Sequence, residues 1–414
     1  MDSETNSKTV VKKEIYMKKI LFFSHAMELG GAERALLGLL ESFNTSEYDI
    51  DLFLLRHTGE MINAIPSKIH LLPEIPQYTC LAIPIWDAIK RRHFVTALNR
   101  MRGKRAALKR IAELGLGDND VELEYSHKYT VQSMPQISDK EYDVAISFLT
   151  PHYYVTNKVI AKKKIAWIHT DYSQVQTDVE SQLKMWADYH VIVSISDKAR
   201  EEFIKVFPQL KDKVTTIQNI IPSRYMFKLV DAFNVESEMP NDGTFKLLSI
   251  GRFCNAKNFD NIPEICSMLI ENGINVKWYL IGFGEDEQLI NYRITEFRMQ
   301  NNVIVLGKKS NPYPYIKNCD VYVQPSRYEG RCVSVVEAQV LNKPVIITNY
   351  ATSASQLKDG YDGVIVPMDN KGCAEGIAKV IRNAELRRKL IQNTQKEDYT
   401  NTQEIEKIYH LIGE

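Results

Sequence analysis

A chain of 414 residues is too long for one compact core, which predicts two or three domains. Its 44% hydrophobic and 25% charged residues are ordinary for a globular protein, and a formal net charge of zero argues against a nucleic-acid polycation. Six widely spaced cysteines without a C-x-x-C argue against a disulfide framework or a zinc site and point to a reduced, cytoplasmic setting.

In chain order, residues 1–16 are polar and lack the apolar stretch of a secretory signal, so they read as a disordered leader with Met17 as a second start. No run approaches the roughly 20 apolar residues that span a bilayer. From Met17 onward, short β-branched or aromatic runs alternate with amphipathic helical stretches, the pattern of parallel α/β architecture. The first set of strands is predicted at 19–24, 49–55, 142–148, 164–168, 190–194 and 214–217. The second set falls at 245–250, 276–281, 303–306, 320–324, 345–348 and 363–366. Between them, the acidic, turn-rich stretch 235–243 is the expected linker. The chain thus divides into a first Rossmann-like domain over 17–236, a second over 243–398, and a C-terminal helix at 399–414 expected to pack back on the first. Ligands of such sheets bind outside the carboxyl ends of the strands, so the functional cleft is expected between facing domains.

One segment breaks the alternation. Lys90, Arg91, Arg92, Arg100, Arg102, Lys104, Arg105, Lys109 and Arg110 have no acid between them, and Phe94, Ala97, Leu98, Met101, Leu108 and Ile111 lie among them at helical spacing. A basic amphipathic helical insertion is therefore predicted near 86–112. It is suited to an anionic membrane through residues 90–110, against the alternative of a solvated helix face. Sparse aromatic interleaving argues against nucleic acid.

Three motifs stand at strand-to-helix turns. Gly30-Gly31-Ala-Glu-Arg34 opens a helix whose free N–H groups suit an anion, though a tight turn in an ordinary βα unit reads equally well. Gly251-Arg252-Phe-Cys-Asn-Ala-Lys257-Asn258 puts two cations on one loop, enough to neutralise a diphosphate from two sides. Ser326-Arg-Tyr-Glu329-Gly330-Arg331-Cys332-Val333-Ser-Val-Val-Glu337 places one acid in a turn and a second two helical turns on, inside an apolar run where a buried acid needs a polar partner. Sugar hydroxyls are such a partner. The Asp-x-Asp triplets at Asp49–Asp51 and Asp118–Asp120 read as strand-end and loop acids, so no metal site is expected. The remaining histidines are not at metal spacing.

Gly30-Gly31, the Arg252/Lys257 pair, Ile281-Gly282-Phe-Gly-Glu285 and the Glu329/Glu337 pair occur in the order seen in the family-four retaining glycosyltransferases. The resemblance runs from Met17 through nearly the whole chain. Trp167-Ile-His169-Thr-Asp171, Tyr189 to Ser196 with Arg200, and Lys343-Pro-Val-Ile-Ile-Thr-Asn349 resemble stretches of bacterial members that build capsular or lipopolysaccharide chains. It implies a GT-B fold of two Rossmann-like domains. By position, Arg252 and Lys257 would hold the leaving diphosphate, Glu329 the donor-sugar hydroxyls, Glu337 the ribose, and His169 would lie beside the donor sugar. Gly31 and the amides at Arg331, Cys332 and Val333 would meet phosphate, and Gly30, Gly282 and Gly330 would let backbone approach the nucleotide. Two departures are visible: Arg331-Cys332 stands where many members have Phe-Gly, and Ile220-Ile221-Pro222 follows Asn219 where a glycine and an acid are common.

The activity implied by the resemblance is that of a retaining, metal-independent glycosyltransferase with no cofactor beyond its nucleotide sugar. It would move a hexose or N-acetylhexosamine from a donor, UDP-sugar first and GDP-mannose second, to a saccharide or polyprenyl-diphosphate-linked acceptor. An epimerase or hydrolase on the same fold is the enzymatic rival, and a catalytically silent partner subunit the non-enzymatic one; acceptor-dependent release of nucleoside diphosphate separates them.

Overall fold

The computed structural model describes residues 17–117, 119–170, 172–173 and 175–413. The leader at 1–16 and Asp118 of the second Asp-x-Asp triplet lie outside them. Two compact units result: one runs to Asn219 and takes in the stretch from Gln403, the other spans Ile220–Thr402.

The first unit is built on β1 (Lys18–Ser24), β2 (Tyr48–Leu54), β3 (His70–Leu71), β4 (Glu141–Ser147), β5 (Ile160–Ile168), β6 (Val191–Ser194) and β7 (Val214–Thr216). They form one parallel sheet in the order β3-β2-β1-β4-β5-β6-β7. The second is built on β8 (Phe245–Ile250), β9 (Val276–Ile281), β10 (Val303–Gly307), β11 (Val321–Gln324), β12 (Val345–Thr348) and β13 (Val364–Val366), parallel in the order β10-β9-β8-β11-β12-β13. Each order reverses direction once, at β1/β4 and at β8/β11. At such a switch point the following loops diverge and leave a crevice at the strand ends.

Buried strands covered on both faces explain the near-continuous apolar runs. In the second sheet, Leu247, Trp278, Leu280, Val321 and Ile346 pack on one face, while their neighbours Leu248, Tyr279, Ile281, Tyr322 and Ile347 pack on the other. That period of two fixes the register, because a one-residue slip would exchange the faces.

The structure corrects the sequence in three places. Strand β3, two residues long, carries no readable pattern and was not anticipated. The stretch 235–243 is not a linker but part of the second unit: Val235 and Met239, four residues apart, are buried at 2% and 1% exposure. Glu238 between them is tied to Lys309, 2.7 Å away, and to the Tyr315 hydroxyl. The basic segment is two helices, Ile85–Lys90 and Phe94–Leu114, broken where Arg92 takes a φ of 63°. The longer helix packs against the helix Val121–Thr130, and Gly103 permits it: a Cβ there would stand 2.6 Å from the Tyr125 carbonyl oxygen.

The C-terminal helix Ile405–Gly413 belongs to the first unit. Its last carbonyls at Leu411 and Ile412 accept from the Lys163 and Lys18 ammonium groups at 2.7 and 2.8 Å, the favourable charge for a helix C-terminus. The Tyr409 ring stacks on Tyr48 at 5.1 Å.

Candidate active site

In the second unit, the Arg252/Lys257 loop follows β8 and the Glu329 loop follows β11, the two strands flanking the switch point. Residues 72 apart in sequence therefore meet: the Lys257 ammonium lies 2.6 Å from Glu329 Oε1, with both side chains largely buried. The Ser326 hydroxyl donates to the same oxygen at 2.6 Å. Oε2 of Glu329 has no protein partner among the described residues, so one carboxylate oxygen is held and the other remains for a ligand. Burial opposes the charge on Lys257, but Cys332 and Glu329 outweigh it, and its pKa is raised. Arg252 is exposed and forms no ion pair among the described residues.

A frame of polar contacts joins the two loops. Asn258, 3% exposed and left-handed at φ 60°, donates from Nδ2 to the Pro325 carbonyl at 2.9 Å. Arg327 grips Asp260 with both terminal nitrogens, at 2.9 and 2.7 Å, and the Asn255 carbonyl at 2.6 Å. Behind Glu329, Ser326 accepts from Gln324, whose amide oxygen accepts from the Tyr322 hydroxyl. Thr352 donates to the Glu329 carbonyl at 2.7 Å. Sequence reading missed Asn258, Ser326, Arg327 and Thr352 as supports; only the recurrence of Asn and Ser in turns hinted at them.

Gly282 serves this frame. A Cβ there would sit 1.9 Å from the Gly251 carbonyl oxygen, so the β9 and β8 loops touch backbone to backbone. Gly330 differs: a Cβ would meet nothing within 4 Å, so the open space beside it is not filled by the protein's own packing. No side chain caps the helix Val333–Val340, although the Cys332 amide already donates to Gln356 Oε1 at 2.8 Å. Arg331 is exposed and reaches towards Asn401 at 3.5 Å.

Glu337 is fully buried: its side chain is 0% exposed, and Oε1 accepts from the Tyr313 hydroxyl at 3.1 Å. The polar partner that this buried acid requires is supplied by the protein.

In the first unit, Gly30 precedes the helix Gly31–Ser42, which also lacks a side-chain cap at its first turn. A Cβ on Gly30 would lie 2.0 Å from the Glu33 carboxyl, which is folded back over the helix start; burial raises the pKa of that acid. A Cβ on Gly31 would meet nothing within 4 Å. His169 stands just beyond β5 beside the Phe148 ring, 4.8 Å between centroids. Burial lowers its pKa to about 4, so it is a neutral imidazole at pH 7. The acid of the first Asp-x-Asp triplet that faces inward, Asp51, is satisfied by Tyr142, Lys140 and His70 at 2.6, 2.9 and 2.9 Å.

Two parallel α/β units, the second with a cation-and-carboxylate loop pair at its switch point, define the GT-B class of protein. Residues 231–397 match the family described as glycosyl transferases group 1. The chain thus carries a group 1 glycosyltransferase domain and resembles capsular and lipopolysaccharide-type enzymes. The capsular polysaccharide biosynthesis glycosyltransferase CapM of Staphylococcus aureus is 28% identical over 214 residues, 50% of this chain and 56% of that one. A Campylobacter jejuni enzyme, N-acetylgalactosamine-N,N'-diacetylbacillosaminyl-diphospho-undecaprenol 4-alpha-N-acetylgalactosaminyltransferase, is 24% identical over 168 residues, 39% of this chain and 45% of that one. The chain spans about half the length of these curated relatives. The structure of Anabaena HepE in complex with UDP and glucose shares the fold, with a TM-score of 0.63 at 13% identity over 96% of this chain and 99% of that one.

Proposed function

We propose that the whole chain transfers a hexose or N-acetylhexosamine from a UDP-sugar to a saccharide or polyprenyl-diphosphate-linked acceptor in surface polysaccharide synthesis. The observation that carries this reading is the Lys257–Glu329 pair beside an unpaired Arg252 at the β8/β11 switch point. A diphosphate arriving there meets two cations, and the free Glu329 oxygen accepts from a sugar hydroxyl. UDP as the nucleotide is supported by the ligand of HepE, and a lipid-linked acceptor by the name of the Campylobacter relative.

The chemistry is charge stabilisation. As the bond from the anomeric carbon to phosphate breaks, negative charge gathers on the leaving phosphate, where Arg252, Lys257 and the uncapped amides near Val333 are preorganised to hold it. This supplies what a divalent metal supplies elsewhere, which is the basis for proposing metal independence. Retention follows if the acceptor hydroxyl attacks from the leaving-group side and passes its proton to the departing phosphate. Glu329, already engaged by Lys257, is then a hydroxyl acceptor rather than a nucleophile.

Peripheral membrane contact is proposed for residues 90–110. Trp86, Phe94 and Val95 are 74%, 61% and 62% exposed beside Lys90, Arg91 and Arg92, the apolar-plus-basic combination of an interfacial surface. Much of the remaining charge is internally matched: Arg110 pairs with Asp178 at 2.8 Å, and Lys104 with Glu122 at 3.4 Å. No helix among the described residues is long and apolar enough to cross a membrane.

The donor assignment is tested by thermal shift. UDP at saturation is expected to raise the melting temperature of the wild type, since a ligand of the native state stabilises it. The Arg252→Ala variant, altered at an exposed side chain, should fold normally and lose that rise; an unchanged rise would remove Arg252 from the site.

A further inference from the structure

In the second unit, the turn that carries Glu329 runs directly into the helix Val333–Val340, and both ends of it are held from the loop after β12. Thr352 donates to the Glu329 carbonyl at 2.7 Å, and Gln356 Oε1 accepts from the Cys332 amide at 2.8 Å. Cys332 is the N-cap residue of that helix, and its side chain makes no capping bond. A helix start is commonly anchored by a Glu or Gln at its third residue, reaching back to the N-cap amide. Here the third residue is Val335, which cannot do so, and Gln356 supplies the acceptor from 24 residues further along the chain. The helix is thereby fixed while its first-turn amides keep no side-chain cap. Its start lies against the Arg252 loop, because the Ser334 hydroxyl donates at 3.2 Å to the carbonyl of Ile250, the residue before Gly251.

Gln356 is only half used by this anchor. A backbone N–H needs an acceptor, so the carboxamide oxygen must face Cys332 and the nitrogen is the other arm. That Nε2 is buried without a hydrogen-bond partner among the described residues, on a residue 9% exposed. The Tyr350 hydroxyl, on the same loop, is a second buried group without a partner among them. Burial first, then Cys332 and Glu329, raise its pKa, which places it beside the same turn and keeps it protonated. Buried donors without acceptors are costly, and both call for an oxygen that the protein does not supply. The part of a nucleotide sugar that is rich in acceptors and offers no donor is its diphosphate.

We propose that Gln356 is a binding residue for that diphosphate: its oxygen anchors the helix start, and its Nε2 donates to the phosphate next to the sugar. This phosphate is singled out because the same turn carries Glu329, whose unpartnered oxygen the proposed function gives to the sugar. A neutral carboxamide suits the place, since an acid at an uncapped helix start would satisfy the helix dipole in the anion's stead. The inference rests on the reading of the second unit as the donor site, and adds to it a residue from a third loop.

Calorimetric titration of the full chain with UDP and with UMP tests it, since UMP lacks the phosphate in question. Gln356→Glu keeps an acceptor for Cys332 and replaces the donating nitrogen with an oxygen. Gln356→Met removes the hydrogen-bonding group without adding charge. Affinity for UDP should fall about tenfold or more in Gln356→Glu and about threefold or more in Gln356→Met, in line with the loss of a bond to a charged group. Affinity for UMP should be unchanged in both, which also verifies that the nucleotide site is folded. The proposal is overturned if either variant binds UDP as the wild type does, or if UDP and UMP lose affinity together in both. A wild type that binds neither nucleotide would refute the donor reading itself, and the inference with it.

Discussion

Lys257 and Glu329 hold each other in the ligand-free site, so a donor must exchange one ionic contact for another. On the proposed reading, the diphosphate takes the ammonium, and the sugar hydroxyls take over part of the carboxylate. Replacing the acid with its amide separates these roles. In Glu329→Gln the lysine is released, so affinity for UDP alone is expected to hold or rise a few-fold. Transfer should fall by roughly 10- to 100-fold, in line with the loss of one charge-assisted contact of about 1.5–3 kcal/mol. Calorimetric titration with UDP beside initial transfer rates reads both. Equal losses in the two would mean that Glu329 is only a support for Lys257. The sequence named each of these residues but not their contact, because adjacency of β8 and β11 is a property of strand order and not of spacing. The family resemblance assigned Glu337 to a ribose. The hydroxyl that satisfies that acid comes from Tyr313, 24 residues earlier in the chain, and no local pattern pairs them.

At the scale of elements, the helix Val121–Thr130 is the packing partner of the long basic helix. Gly103 lets the long basic helix approach it at the Tyr125 carbonyl, so Gly103→Val forces the pair apart. A loss of roughly 1–3 kcal/mol is expected from such overpacking, measured by urea denaturation. The same helix carries His127, whose pKa burial, with the nearby His25 and His152, lowers to about 3. Its unfolded value is near 6.5, so between these limits the unfolded chain binds more protons. Stability is therefore full above pH 6.5 and is lost as pH falls through that value towards 3. Between pH 6.5 and 4.5 the loss is on the order of 1–3 kcal/mol from this group. His127→Leu should flatten that part of the stability curve, and an unaltered slope would place the acid sensitivity elsewhere. Sequence patterns foresaw the long strands and the basic helices because apolar periodicity marks them. They did not foresee β3, too short to show a period, or the role of 235–243, whose turn formers hide two buried apolar anchors.

For the molecule as a whole, two parallel sheets, each with a single switch point, make a GT-B protein, and the ionic pair at the second switch point is what the proposed transfer of an activated sugar rests on. The composition had already excluded a polycation, and the β/α alternation had implied two such units. The most direct measurement is transfer itself: the full chain is incubated with radiolabelled UDP-sugars, polyprenyl-diphosphate-linked saccharide and anionic vesicles, and both UDP and labelled lipid are quantified. The account predicts that UDP release depends on the acceptor and matches label incorporated one for one, with Lys257→Ala losing both. UDP release at the same rate without acceptor, or label transfer undiminished in Lys257→Ala, would contradict it.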